Sequence, residues 1–528
     1  MEVDKDAGFK EKLKTHIEKL ANPNQENDFL ESLECLNALL ISSNFNQIRE
    51  VSKQLDLDNL FRQFNAANEE VFSDSFISVI SMFMEAQLGD EVLIKHFDIV
   101  LEGLYSPNVI VVDLWLKNIV KPVFVNEAQL KSITNSKINL IPLLRAVIRL
   151  TPHISTMVAN TAHDISVIAS KACRQEFFSP INLEELNHLK TLKKPDLKVD
   201  PDVLKIRIYT LVVDISCCSQ LLLDLMKANG FLTEITDEFS HKMSDDPLVA
   251  LNMTKLMTDL ASQPHGLEFL RTSTSIFTSI AKRIKEFKMD DAFDSLLIPG
   301  LINFFVRVAE FDLDYFSQYP IVIERILTFI EKGTKNPEFF ILGIDSIAYV
   351  CKKNEGKLFL SKYFERILKQ IARIIEVGNT EMKGRVMIAL NGIMEVKGAD
   401  PGDQANKLTE TWYRYLDAVG CGISKFMKIA QEPFPDLRLQ ALNFIRILAN
   451  SVWGQQILAN EPGFLEYILD RQTETNREGV DVKYEIIRDL VMSPFIRLSF
   501  TPESILRMRA YFNAGPIDSE MNVAFENA

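Results

Sequence analysis

Glycine and proline are both scarce in this chain, at 20 each among 528 residues. That argues against a protein built from many strands and tight turns, whose corners need these residues. Histidine is scarcer still. The seven, His16, His96, His153, His163, His188, His241 and His265, never fall at the spacing of a paired helical metal motif. The six cysteines, Cys35, Cys173, Cys217, Cys218, Cys351 and Cys421, show no zinc-type pairing. Cys217 and Cys218 are adjacent, and adjacent side chains on a helix diverge, so no disulfide is expected between them. Positive charge is in deficit: 58 basic against 72 acidic residues give a formal net charge of −14. Nonspecific nucleic-acid binding needs the opposite sign, so no nucleic-acid partner is expected. No window offers about 18 uninterrupted apolar residues, so no membrane span is expected. The opening MEVDKDAGFKEKLKTHIEKL is charged and amphipathic and lacks the apolar core of a signal peptide. These absences point to a reducing compartment, the cytoplasm, with the nucleus as a second location.

Catalytic signatures are missing too. No phosphate-cradling glycine loop carries a lysine and a following hydroxyl residue, and no serine sits in an elbow between glycines. Gly420 and Gly422 flank Cys421 without the rest of a dinucleotide fingerprint, and they read as a loop. The expectation is a non-enzyme with no cofactor, no metal and no small-molecule substrate.

What the chain does have is a repeat. In PFPDLRLQALNFIRILANSVWGQQIL, Gly454 lies 19 residues after Pro435, and Leu458 follows 4 later. The same offsets run from Pro337 to Gly356 to Leu360, and from Pro247 to Gly266 to Leu270. Between proline and glycine, offsets 6, 10 and 13 carry Met253, Met257 and Leu260, then Gly343, Ile347 and Val350, then Ala441, Ile445 and Leu448. Those offsets share one helix face. Offset 14 is small each time, Ala261, Cys351 and Ala449, which would let a neighbouring helix come close. The proline suits a first helical turn. The glycine suits a left-handed cap at the helix end, and His265 beside Gly266 then faces the helix C-terminus. Pro201 and Pro107 lead weaker copies, and the whole fits a unit of about 45 residues with two or three helices each.

A second amphipathic stretch closes each unit: GFLTEITDEFS, IFTSIAKRIKEF, YFERILKQIARII and GFLEYILDR. The fold class expected is all-α, an armadillo/HEAT-like helical-repeat solenoid. It is read as a single solenoid over residues 1–516 with about ten or eleven units, followed by a disordered tail at 517–528. Polar stretches from Ser179, Lys397 and Arg471 read as loops between repeats. Trp115, Trp412 and Trp453 read as packing residues, Trp453 at a helix end.

In armadillo-type stacks the last helix of each unit lines the concave side. The closing helices therefore supply the candidate binding residues: Glu234, Asp237 and Glu238, then Lys282, Arg283, Arg366, Lys369 and Arg373, then Glu466 and Asp470. They describe a groove with acidic and basic sectors, where charge would supply specificity and on-rate.

Several segments occur together in one order: KIRIYTLVVDIS from Lys205, LIPGLINFFVRVAEF from Leu297, QYPIVIERILTFIE, EPGFLEYILDRQTE, DVKYEIIRDL and LRMRAYFNAGP. Together they resemble the proteasome non-ATPase regulatory subunit five family, most clearly from about Val199 to Pro516. The amino-terminal third matches only in its helical pattern, and the tail after Pro516 departs from the family's vertebrate members. The resemblance implies a non-enzymatic assembly chaperone of the 26S proteasome regulatory-particle base. It implies partners among the base ATPase subunits, held by their C-terminal domains on the concave surface and released before the mature particle forms. A general armadillo scaffold or transport adaptor is the alternative.

Overall fold

The computed structural model describes residues 2–516 apart from 22–25, 44, 54, 68–73, 137, 191–200, 243–245, 274, 289–290, 333–335, 397–402 and 475. The expected disordered tail at 517–528 lies outside the described residues, as does most of the loop expected from Lys397. Every described element is a helix. The chain divides into two compact units, Met1–Met243 and Ser244–Ala528, and each is a stack of short helical repeats.

In the second unit the leading helices are Pro247–Ala261, Ala292–Phe311, Pro337–Val350, Thr380–Met394, Pro435–Ala449 and Arg477–Met492. Each packs along the next, forming one continuous row. A second row runs through Ile276–Glu286, Pro320–Lys332, Phe364–Val377 and Gln404–Ala418. Short helices such as Pro264–Ser273, Asn354–Leu360 and Val452–Asn460 link the two rows. Proline opens three leading helices at a position whose N–H has no intrahelical partner. Offsets 6, 10, 13 and 14 are buried in all three copies, and Leu260, Leu448, Ala449 and Cys351 reach zero exposure.

The repeat glycines act differently from the expectation. Gly266, Gly356 and Gly454 lie in the first turn of the short second helix, and none has a positive φ. A Cβ on each would collide with the backbone carbonyl oxygen of Leu260, Val350 or Leu448 respectively. Each is the offset-13 residue of its own repeat, so the glycine permits a sharp turn between two helices rather than capping the first. For the same reason His265 sits in the first turn of Pro264–Ser273 and not at a helix C-terminus. The left-handed positions are elsewhere, at Gly230, Gly420, Gly463 and Gly515.

Two expected loops are partly helical. Pro180–Lys190 forms a helix that buries Asn182, Glu185, Leu186 and Leu189, because packing completes a weakly periodic polar segment. From Arg471 a short 3-10 turn, Arg471–Thr473, is followed by the long helix Arg477–Met492, so GVDVK is helical. Ala292–Phe311 is the one described helix long and apolar enough to cross a bilayer, with mean hydropathy 1.5. It carries buried Asp294 beside Arg283 and packs between leading helices of adjacent repeats, so its apolar surface is spent on the stack.

The first unit follows the same plan. Its leading row is Glu26–Ile41, Asp74–Ala86, the run 109–125, Thr156–Ala172 and Pro201–Cys218. Its second row is Asp58–Ala66, Gly89–Leu104, Ile141–Leu150 and Pro180–Lys190. The run 109–125 contains a π-turn, Trp115–Val120. There the buried Trp115 indole donates to Asn65 Oδ1 at 2.7 Å, and Asn65 Nδ2 donates to the Ile99 carbonyl at 2.7 Å. Trp412, also buried, stacks on Phe364.

Candidate interaction surface

The closing-helix candidates divide by what already engages them. In the first unit Glu238 pairs with Lys205 at 2.5 Å and accepts from the Tyr209 hydroxyl. Glu234 accepts from the same hydroxyl at 3.4 Å, and Asp237 is exposed. Burial, and then these two carboxylates, push the Tyr209 phenol far above its ordinary range. In the second unit Arg283 pairs with the buried Asp294. Arg366 donates to Glu331 at 2.7 Å and lies 3.5 Å from Glu324. Glu466 lies 3.7 Å from Arg507, and Asp470 accepts from the Gln472 amide at 2.8 Å. Lys282 makes only a 4.0 Å approach to Glu286. Lys369 and Arg373 are exposed and form no ion pair among the described residues. The candidates therefore do not gather into one site. About half pair with neighbouring helices, and Asp237, Lys282, Lys369 and Arg373 are exposed.

The second unit's wider grooves lie over the leading row instead. One, of about 530 Å³, crosses three successive leading helices and is lined by Asn252, Lys255, Asn303, Arg307, Asp345 and Tyr349 among others. Lys255, Asn303 and Asp345 are exposed along it. Tyr349 donates to Glu310 and accepts from Arg307. Burial, with help from Glu310, pushes its phenol up to about 12. Asp345, exposed at its tip but partly desolvated by the groove walls, has its carboxyl raised against the opposing pull of Arg385. Two further grooves, of about 370 and 450 Å³, share Asn406, Asn450, Ser451 and Trp453 and so run together. Trp453 is half-buried in the first turn of its helix and faces both, with its indole nitrogen unpartnered and its ring 5.4 Å from Tyr413. This is more than the packing role expected of it. Its place on the second helix, between two leading helices, puts it at the groove.

Small residues explain why the leading helices approach so closely. A Cβ on Gly300 would touch Leu251 and Thr254 of the preceding leading helix at 3.3 and 3.4 Å, and one on Gly392 would touch Ala348 at 3.9 Å. Polar staples finish the row. Asn391 Nδ2 donates to the Gln440 carbonyl at 3.1 Å. The buried Lys357 donates to the carbonyl of Cys351 and, at 3.0 Å, to that of Ile393 in the next repeat. Gln455 holds the same repeat position, one after the glycine, and donates to the Ala449 carbonyl at 2.9 Å and to Ser493 Oγ at 2.8 Å. Sequence reasoning missed both. A lysine at Gly+1 was the available signal, but its meaning depends on the next helix being in reach.

Among the described residues no group of three or more His, Cys, Asp or Glu side chains is placed to hold a metal ion. All six cysteines are free thiols. Burial pushes the Cys173 thiol up to about 11 and those of Cys351 and Cys421 to about 12, which makes them poor nucleophiles. What the surface offers chemically is polar and charged recognition along stacked helices.

Three comparisons bear on what this surface serves. The family model described as Proteasome non-ATPase 26S subunit matches residues 10–528, reaching well into the amino-terminal third. A Bos taurus protein named 26S proteasome non-ATPase regulatory subunit 5 is 28% identical over 494 residues, covering 92% of this chain and 93% of that protein. The Homo sapiens protein of the same name is 27% identical, covering 92% and 94%. Among solved structures, yeast importin-beta (Kap95p) is similar with a TM-score of 0.54 at 10% identity, covering 95% of this chain and 62% of that one. The karyopherin Kap121p gives a TM-score of 0.52 at 12% identity, covering 96% and 52%. These structural likenesses establish an all-helical repeat solenoid and carry no statement about cargo.

Proposed function

Because the chain belongs to the proteasome non-ATPase 26S subunit family, we propose that it is a non-enzymatic chaperone for assembly of the proteasome regulatory-particle base. In this reading it binds the C-terminal domain of a base ATPase subunit and leaves before the mature particle forms. The observation that carries the reading is the match to the 26S proteasome non-ATPase regulatory subunit 5 proteins along 92% of the chain. A stack of repeats suits the task, since it presents an extended surface whose shape is set by neighbour contacts alone. The exposed closing-helix charges Asp237, Lys282, Lys369 and Arg373 would set specificity and on-rate, and groove contacts would set affinity.

The test is retention of separately expressed base ATPase C-terminal domains by the immobilised full-length chain. One domain retained at micromolar concentration, and the chain missing from finished 26S particles, is the expected result. If no domain is retained, the chaperone reading fails. Binding of basic signal peptides in place of those domains would favour a transport adaptor, a reading that rests on the karyopherin-like fold alone.

A further inference from the structure

We propose that the first unit carries a carboxylate-recognition pocket, built on Arg145 and Arg149, that takes an acidic peptide segment with an apolar residue beside the acid. The pocket, of about 440 Å³, opens between the ends of three second-row helices. Arg145 and Arg149 stand one turn apart on Ile141–Leu150, and both are exposed. Like charges at that spacing repel and weaken a helix unless an anion joins them.

Arg145 is held in place from behind. Its Nε donates to Glu185 Oε2 at 2.8 Å, and Glu185 is itself buried. That bond uses Nε, and among the described residues nothing pairs with the two terminal nitrogens, the fork that grips a carboxylate. Arg149 lies over the Tyr105 ring at 5.5 Å and forms no ion pair among the described residues. The pocket floor is apolar, with Leu104, Leu150, Leu189 and Leu204 buried beneath it. His153, also in the wall, is driven toward its neutral form by burial and then by Arg207, so it adds no fixed charge. A cationic fork over an apolar floor selects an acid flanked by an apolar side chain rather than any anion or any hydrophobe.

The experiment is fluorescence anisotropy on the full-length chain with a short labelled peptide alternating glutamate and leucine. Two companion peptides carry glutamine or phosphoserine in place of glutamate. The glutamate peptide is expected to bind about tenfold more tightly than the glutamine peptide, and Arg149→Glu is expected to abolish that difference. Arg149→Met keeps the apolar stem and should lose most of the preference while melting like the parent protein. Equal binding of the glutamate and glutamine peptides overturns the proposal, and so does a preference that survives Arg149→Glu. Tighter binding of the phosphoserine peptide overturns it in favour of a phosphate site.

Discussion

The ammonium of Lys357 donates to the carbonyl of Ile393 at 3.0 Å, joining one repeat of the second unit to the next from a fully buried position. It also donates to the Cys351 carbonyl, where its own leading helix ends. Helix C-termini leave carbonyls without intrahelical partners, and stacking buries two such ends against one another. One side chain with several donors serves both.

Replacing Lys357 by Met should therefore strand buried carbonyls at two helix ends. The expected loss is about 3 kcal/mol in urea unfolding. Gln455→Leu, at the equivalent place, removes two neutral bonds and should cost less, about 1–2 kcal/mol. Equal and negligible effects from both would show that the staples do not hold the row together.

The two kinds of glycine should lose stability for different reasons and by different amounts when a methyl group is added. Gly454→Ala places a methyl group against the Leu448 carbonyl and should cost about 2–3 kcal/mol through forced displacement of backbone. Gly463 has φ +78 and open space around its Cβ direction. Gly463→Ala should cost only the left-handed backbone penalty, about 1–2 kcal/mol. Denaturant midpoints for the two variants check the order.

Lys483 is buried and donates to the Tyr467 and Asp470 carbonyls at 2.9 and 2.6 Å. Burial pushes its ammonium down to about 8 from the ordinary 10.5, against the pull of Asp470 and Glu474. Its folded-state value is depressed, so between pH 8 and 10.5 the unfolded chain binds the extra proton. Stability from this group then rises with pH across that window. Lys483→Met should remove that component, so the parent-minus-variant difference grows from pH 8 to 10. A difference that stays flat would mean that Lys483 remains charged throughout.

Thiol labelling of the native chain should begin at Cys35, the exposed cysteine. Cys173, Cys351 and Cys421 are buried with raised thiol values and should react only after denaturation. Mass spectrometry after a brief pulse of iodoacetamide identifies the order.

Much of this protein is legible in its sequence. Pro247, Pro337 and Pro435 mark helix starts because proline constrains φ and lacks an N–H, both properties of one residue. The buried offsets, such as Met257, Ile347 and Ile445, follow from a period that any helix shares. The family could be read from ordered segments for a similar reason, since each is a local pattern. The role of the glycines was not legible, because a left-handed cap and a collision with a carbonyl six residues back, at the end of the preceding helix, leave the same letter in the sequence. Only the path of the chain around Leu448 and Gly454 tells them apart. The pairing of the closing-helix charges, the staple from Lys357 to Ile393, and the meeting of Arg145 with Glu185 40 residues on also waited for the tertiary structure. Propensity and periodicity act within a few turns of one helix. Which repeats touch, and with which side chains, is decided by the stacking of whole helices, whose apolar faces can be buried only against one another.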